Sequence, residues 1–182
     1  MSVDLRALQH QPFELLLGFE ARLRAVRMDM AAGQAETWSG LGFRLGDVWF
    51  TAPRDDVLEV IVPPQVTRVP NARAWLLGIA NVRGNLLTVV DLRQFVGLPM
   101  AEPQRNQRVL VLNSTRMPVG FLVDEVAGHR QFTPGEQRHR EAAQAEMFAP
   151  YLLGAFVREG LPWLIMSLHK VAQSQTIKQA GL

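Results

Sequence analysis

The chain has no cysteine, one tyrosine and, among its 19 basic residues, only two lysines, Lys170 and Lys178. Without cysteine there is no disulfide framework, no thiolate zinc site and no thiol nucleophile. The usual mark of an oxidising compartment is also missing, which favours a cytoplasmic protein. Long apolar runs are lacking as well. The run Leu15-Leu16-Leu17 lies between Glu14 and Glu20 and is followed by Arg22, Arg24 and Arg27, the reverse of a secretory signal. No stretch is apolar for long enough to span a bilayer, so direct membrane insertion is not expected. The pI near 9.7 raises a second class, a small-barrel nucleic-acid binder. Against it, 17 acidic residues are interspersed with the basic ones, and no lysine and arginine stripe is present.

Catalytic motifs are equally scarce. His10, His129, His139 and His169 are scattered without metal-ligand spacing, and His139-Arg140-Glu141 reads as a solvated charged face, so no metal site is expected. There is no phosphate-cradling glycine loop, no dinucleotide fingerprint and no nucleophile elbow. Neither a cofactor nor an enzymatic activity is expected. The acidic pairs Asp55-Asp56 and Asp124-Glu125 make poor acid–base couples, because neighbours on a strand point to opposite faces; solvated strand ends are the simpler reading. Asn113-Ser114-Thr115 matches a glycosylation acceptor, which carries meaning only in a secreted chain. Trp38, Trp49, Trp75 and Trp163 are expected in the core or at a lobe junction.

What is present suits a packed globule: 182 residues, 48% hydrophobic and 20% charged. Phe13, Leu16, Leu17, Leu23 and Val26 have helical spacing between Pro12 and about Met30, giving an N-terminal helical extension over 1–36. From Leu41 the pattern changes to short apolar runs closed by turn residues. Phe43 to Phe50 reads as a hairpin around Gly46-Asp47, and Val57 to Val62 as a strand stopped by Pro63-Pro64. Ile79 to Val82 and Leu86 to Val90 read as a hairpin around Gly84-Asn85, followed by a helix capped by Asp91 and stopped at Gly97. Val109 to Leu112, Val119 to Val126, Ala155 to Val157 and Leu161 to Met166 read as further strands, and Ser167 caps a second helix.

The halves repeat. A shift of 76 places Leu76-Leu77-Gly78 on Leu152-Leu153-Gly154, Gly84 on Gly160, Asp91 on Ser167 and Leu92 on Leu168 without a gap. A shift of 69 places Asp55-Asp56-Val57 on Asp124-Glu125-Val126. The expectation is an all-β chain of two similar barrels. One lobe covers about 40–100 and the other about 107–172 of a domain running from 37 to 182, and short helices follow the hairpins.

The run Gly78-Ile79-Ala80-Asn81-Val82-Arg83-Gly84-Asn85-Leu86-Leu87-Thr88-Val89-Val90-Asp91-Leu92-Arg93 closely resembles the signature of the CheW chemotaxis coupling family. Val57-Leu58-Glu59-Val60 before it and Val119 to Val126 after it follow in the family's order, so the resemblance covers about 40–172. Pro12 to Leu16 and Val69 to Trp75 resemble the PilI type of that family, which serves type IV pilus twitching motility. The resemblance implies two SH3-like five-stranded barrels with a groove between them. It further implies a non-catalytic adaptor joining the regulatory domain of a CheA-like histidine kinase to the cytoplasmic helical tip of a chemoreceptor. On matching positions, Arg83, Asn81, Gly84 and Glu59 would meet the receptor, while Val57 and Gly78 would support the kinase or partner surface. The sequence departs from the family between Thr133 and Pro150, where either a short helix or an ordered loop fits the composition.

Overall fold

The computed structural model describes residues 37–99, 102–138 and 147–179. The helix expected within 1–36, the His139-Arg140-Glu141 cluster and the Ala142 to Ala145 stretch lie outside the described residues. The elements are β1 (Trp38–Leu45), β2 (Val48–Pro53), β3 (Val57–Ile61), β4 (Leu76–Val82), β5 (Asn85–Asp91), α1 (Leu92–Phe95), β6 (Arg108–Leu112), β7 (Val119–Val123), β8 (Glu125–Phe132), β9 (Gln137–Arg138), β10 (Leu152–Arg158), β11 (Leu161–Met166), α2 (Leu168–Ala172) and α3 (Gln175–Gln179). In the divergent segment, Pro134–Glu136 and Ala149–Tyr151 form single 3-10 turns.

The strands make two sheets, ordered β8-β1-β2-β11-β10-β9 and β3-β6-β7-β5-β4. Neither sheet comes from one half of the chain. The first half gives β1 and β2 to the first sheet and β3, β4 and β5 to the second; the second half gives β6 and β7 to the second sheet and its later strands to the first. The chain thus changes sheet after Pro53 and again at Asp124. This exchange accounts for one difference from the sequence pattern. The apolar run Val119 to Val126 is not one strand but β7 and β8 in different sheets, broken at Asp124.

The repeat holds residue by residue in the hydrogen-bonded register. Leu76 pairs with Val90 and Leu152 with Met166, each hairpin bulging before the glycine at 78 or 154. Likewise Val57 pairs with Leu112 and Phe43 with Val126, with a bulge at each site. Thr88 lies parallel to Val119 as Leu164 does to Phe50. Both shifts, 76 and 69, therefore relate equivalent pairs, and the molecule is two SH3-like barrels of the same plan. Backbone bonds of 2.8 and 2.9 Å between Thr67 and Ile79 join the segment after β3 to β4. They draw the two edges of the second sheet together, as barrel closure requires.

Three apolar clusters follow from this plan. Ala80, Leu87, Val89, Val109 and Val111 fill the second barrel, and Phe132, Phe156, Trp163 and Ile165 fill the first. The largest cluster joins Phe43, Phe50 and Leu164 of the first sheet to Val90, Leu110 and Phe121 of the second, with Leu168, Val171 and Ile177 from α2 and α3. Burying that shared surface makes the two barrels one cooperative core.

Candidate functional site

The β4–β5 hairpin turns at Arg83-Gly84, one position earlier than the Gly84-Asn85 turn the sequence suggests; Asn85 already begins β5. Arg83 has φ 51° and Gly84 φ 87°, the paired left-handed conformation of a two-residue turn whose twist matches its strands. Arginine is disfavoured there, since its Cβ crowds the backbone, so the position stores strain that a glycine would not. Asn81 holds the turn through its side-chain carbonyl oxygen, which accepts from the Gly84 amide at 2.9 Å. The Arg83 guanidinium reaches the Glu59 carboxylate at 2.9 Å across the closed barrel. Asn81, Arg83, Gly84 and Glu59 are thus brought together, although 22 residues separate Asn81 from Glu59 in the chain. The arginine side chain remains 76% exposed, free to offer its other donors to a partner.

Val57 opens β3, half buried against the shared core. Gly78 sits at the β4 bulge with φ 144°, and a Cβ there would overlap the Thr67 carbonyl oxygen. Gly78 therefore lets two backbones meet. It does not touch the Arg83 cluster, and its visible part is to close the barrel.

Beside β3 lies a groove of about 470 Å³, lined by Leu41 of β1, Arg54 and Asp55 of the turn before β3, Leu58 and Val60 on β3, and His129 of β8. Leu58 and Val60 are exposed, as is Val62 just past the strand. An alternating apolar row on a strand beside an open groove is an unusual exposure for a water-facing edge. The groove receives residues from both sheets.

Two carboxylates were missed by the sequence reading. Asp56 and Asp124, expected as solvated strand ends, are buried. Asp56 Oδ2 accepts from Ser167 Oγ at 3.2 Å, from the Leu168 amide at 2.8 Å and from the His169 amide at 3.4 Å. Asp124 Oδ2 accepts from the Gly46 amide at 2.6 Å and from Arg93 Nη1 at 2.8 Å. Both stand where the chain crosses between sheets, and a carboxylate buried there needs partners. Among the tryptophans, Trp75 and Trp163 are buried and Trp38 and Trp49 half buried, all packed against other aromatic rings. Among the described residues no cluster of histidine and carboxylate side chains could hold a metal ion, and no helix is long and apolar enough to cross a membrane.

A hairpin signature held over a closed barrel, with a second barrel of the same plan beside it, defines a two-barrel binding module. Residues 39–176 match the family model described as the CheW-like domain, and the chain belongs to that family. It is 37% identical over 166 residues to Protein PilI of Pseudomonas aeruginosa, covering 90% of this chain and 93% of that protein. It is 25% identical to Chemotaxis protein CheW of Thermotoga maritima, covering 84% and 99%. Among solved structures, the scaffolding protein TtCheW of Thermoanaerobacter tengcongensis superposes with a TM-score of 0.68 at 18% identity, covering 78% of this chain and 96% of that one. The chain is a coupling adaptor of chemosensory signalling.

Proposed function

We propose that this protein acts without catalysis in the cytoplasm. It would join the regulatory domain of a CheA-like histidine kinase to the helical tip of a chemoreceptor and so control twitching motility. CheW-like scaffold proteins in general couple receptors to that kinase. The observation that carries the residue assignment is the exposed Arg83–Glu59 pair. A strained turn arginine, anchored at one end by a carboxylate and open at the other, is a device for meeting a partner rather than for stabilising a barrel. The receptor tip engages Arg83, Asn81, Gly84 and Glu59 and lays its helices along the groove beside Leu58 and Val60. The kinase uses the surface supported by Val57 and Gly78. The small-barrel nucleic-acid reading has no observation in its favour beyond the pI.

Titration calorimetry of the full chain against a receptor-tip fragment and the kinase regulatory domain tests this. Arg83→Glu places two carboxylates in contact at an exposed site, so folding should persist while receptor affinity falls by about 2 kcal/mol, roughly thirtyfold. A lowered melting temperature with unchanged binding would refute the assignment.

A further inference from the structure

Among the buried carboxylates that the adaptor surface leaves unused is that of Asp56. It is satisfied by three donors, all at the start of α2, which belongs to the far end of the chain. Its own backbone carbonyl accepts from the Asn113 amide at 2.9 Å, just beyond the end of β6. One residue therefore joins three pieces: the crossover from the first sheet, the β6 edge of the second sheet, and the helix that follows β11. The next residue is Val57, and the bulge between Val57 and Glu59 sets which way the Glu59 side chain points. Glu59 in turn anchors Arg83.

From this chain of contacts we propose that Asp56 is a positioning residue: it clamps β3 to α2 and thereby fixes Glu59, and through it Arg83, in the geometry the receptor meets. The inference rests on the adaptor reading for the identity of the partner, but not for the clamp itself. It also makes the α2 end of one barrel and the Arg83 hairpin of the other parts of one mechanical path. By the shift of 69 the residue equivalent to Asp56 is Glu125, which takes the Arg44 guanidinium at 2.8 Å rather than the start of a helix, and the position equivalent to Glu59 is Gly128, which has no carboxylate to position. Two residues past the equivalent valines, only the Asp56 crossover carries a carboxylate.

The test uses Asp56→Ala, the milder Ser167→Ala, and Asp56→Asn, which keeps an accepting oxygen. In calorimetry against the receptor-tip fragment, Asp56→Ala should weaken binding about tenfold and Asp56→Asn should recover most of it. In an Arg83→Ala background the Asp56→Ala loss should disappear, because the clamp acts through that arginine. A loss of equal size in both backgrounds would overturn the proposal, since a general structural defect adds rather than couples. Amide exchange on the same proteins decides the clamp independently of any partner. Faster exchange at Glu59 and Arg83 as well as at Leu168, in Asp56→Ala or in Ser167→Ala, upholds it. Acceleration confined to Leu168 and His169 overturns it. If the wild type binds neither partner, the adaptor reading fails, and the exchange result alone rules on the clamp.

Discussion

The two barrels share one backbone plan yet fill it in opposite ways. In the second barrel Val109 and Val111 stand on β6 and meet Leu87 and Ala80 from the hairpin; at the equivalent places the first barrel has Gly40 and Gly42 on β1, and Trp163 and Phe156 from its hairpin. Bulk has moved from one strand to its neighbours. A Cβ on Gly42 would lie 3.0 Å from the Trp163 ring, and one on Gly40 would collide with Trp38. Conversely, Gly120 faces Val109 and Leu87, where the first barrel carries Thr51, buried with no hydrogen-bond partner for its hydroxyl among the described residues. A barrel of this size accepts either solution because packing constrains the summed volume rather than its source. The aliphatic barrel bears the Arg83–Glu59 pair, whereas the aromatic one has Glu159 and Gly128 at those places. Shape was duplicated and partner chemistry was not.

The largest effect should come from breaking that volume exchange. Gly42→Val and Trp163→Leu each convert one position to the pattern of the aliphatic barrel. The first overpacks and the second leaves a cavity, and each should cost about 3 kcal/mol in urea unfolding. Together they should cost clearly less than their sum, because each relieves the other. Strict additivity would mean that the two positions do not share volume.

A smaller contrast separates the two bulge glycines. Gly78→Ala forces a side chain into a left-handed φ against the Thr67 carbonyl and should destabilise by about 2 to 4 kcal/mol. Gly154, its equivalent, has no positive φ, and a Cβ there would meet only the Ile165 side chain at 3.5 Å. Gly154→Ala should stay within about 1 kcal/mol of wild type in the same unfolding experiment. Equal losses would show that the bulge common to both hairpins, not the Thr67 contact, makes the position sensitive.

Much of this plan was legible beforehand, for a physical reason. The shifts of 76 and 69 preserve glycines, caps and apolar alternation, and those features set register directly. Asp91 and Ser167 do cap their helices, accepting from Gln94 and Lys170 amides. Pairing between halves was not legible: similarity says which strands are equivalent, not which are neighbours, so the exchange of strands between sheets and the burial of Asp56 and Asp124 stayed hidden. The Arg83–Glu59 contact was reached through the family's motif, and only barrel closure explains why positions on opposite edges of a sheet should meet.

The smallest contrast lies between the ion pairs of the two barrels. Arg83–Glu59 is a single contact with an exposed arginine, whereas Glu136 beside the aromatic barrel takes Arg158 Nε at 2.6 Å and Nη2 at 3.0 Å, together with the Thr133 amide at 2.7 Å. Arg158 also donates to the Gln131 carbonyl and lies over the Phe132 ring. The guanidinium bonds, first, and the Thr133 amide, second, hold the Glu136 pKa down at about 2, against an ordinary 4.5. A carboxyl whose folded pKa is depressed favours the folded state fully above its unfolded value, and that contribution fades as pH falls towards the folded one. Stability from this group should therefore decline between about pH 4.5 and about pH 2. Glu136→Gln should flatten that part of the acid limb, read by thermal unfolding across the series, and leave the curve near neutrality parallel to wild type. Because the site is at the surface, added salt should shrink the difference. An acid limb unchanged by Glu136→Gln would assign the decline to other carboxylates of the chain.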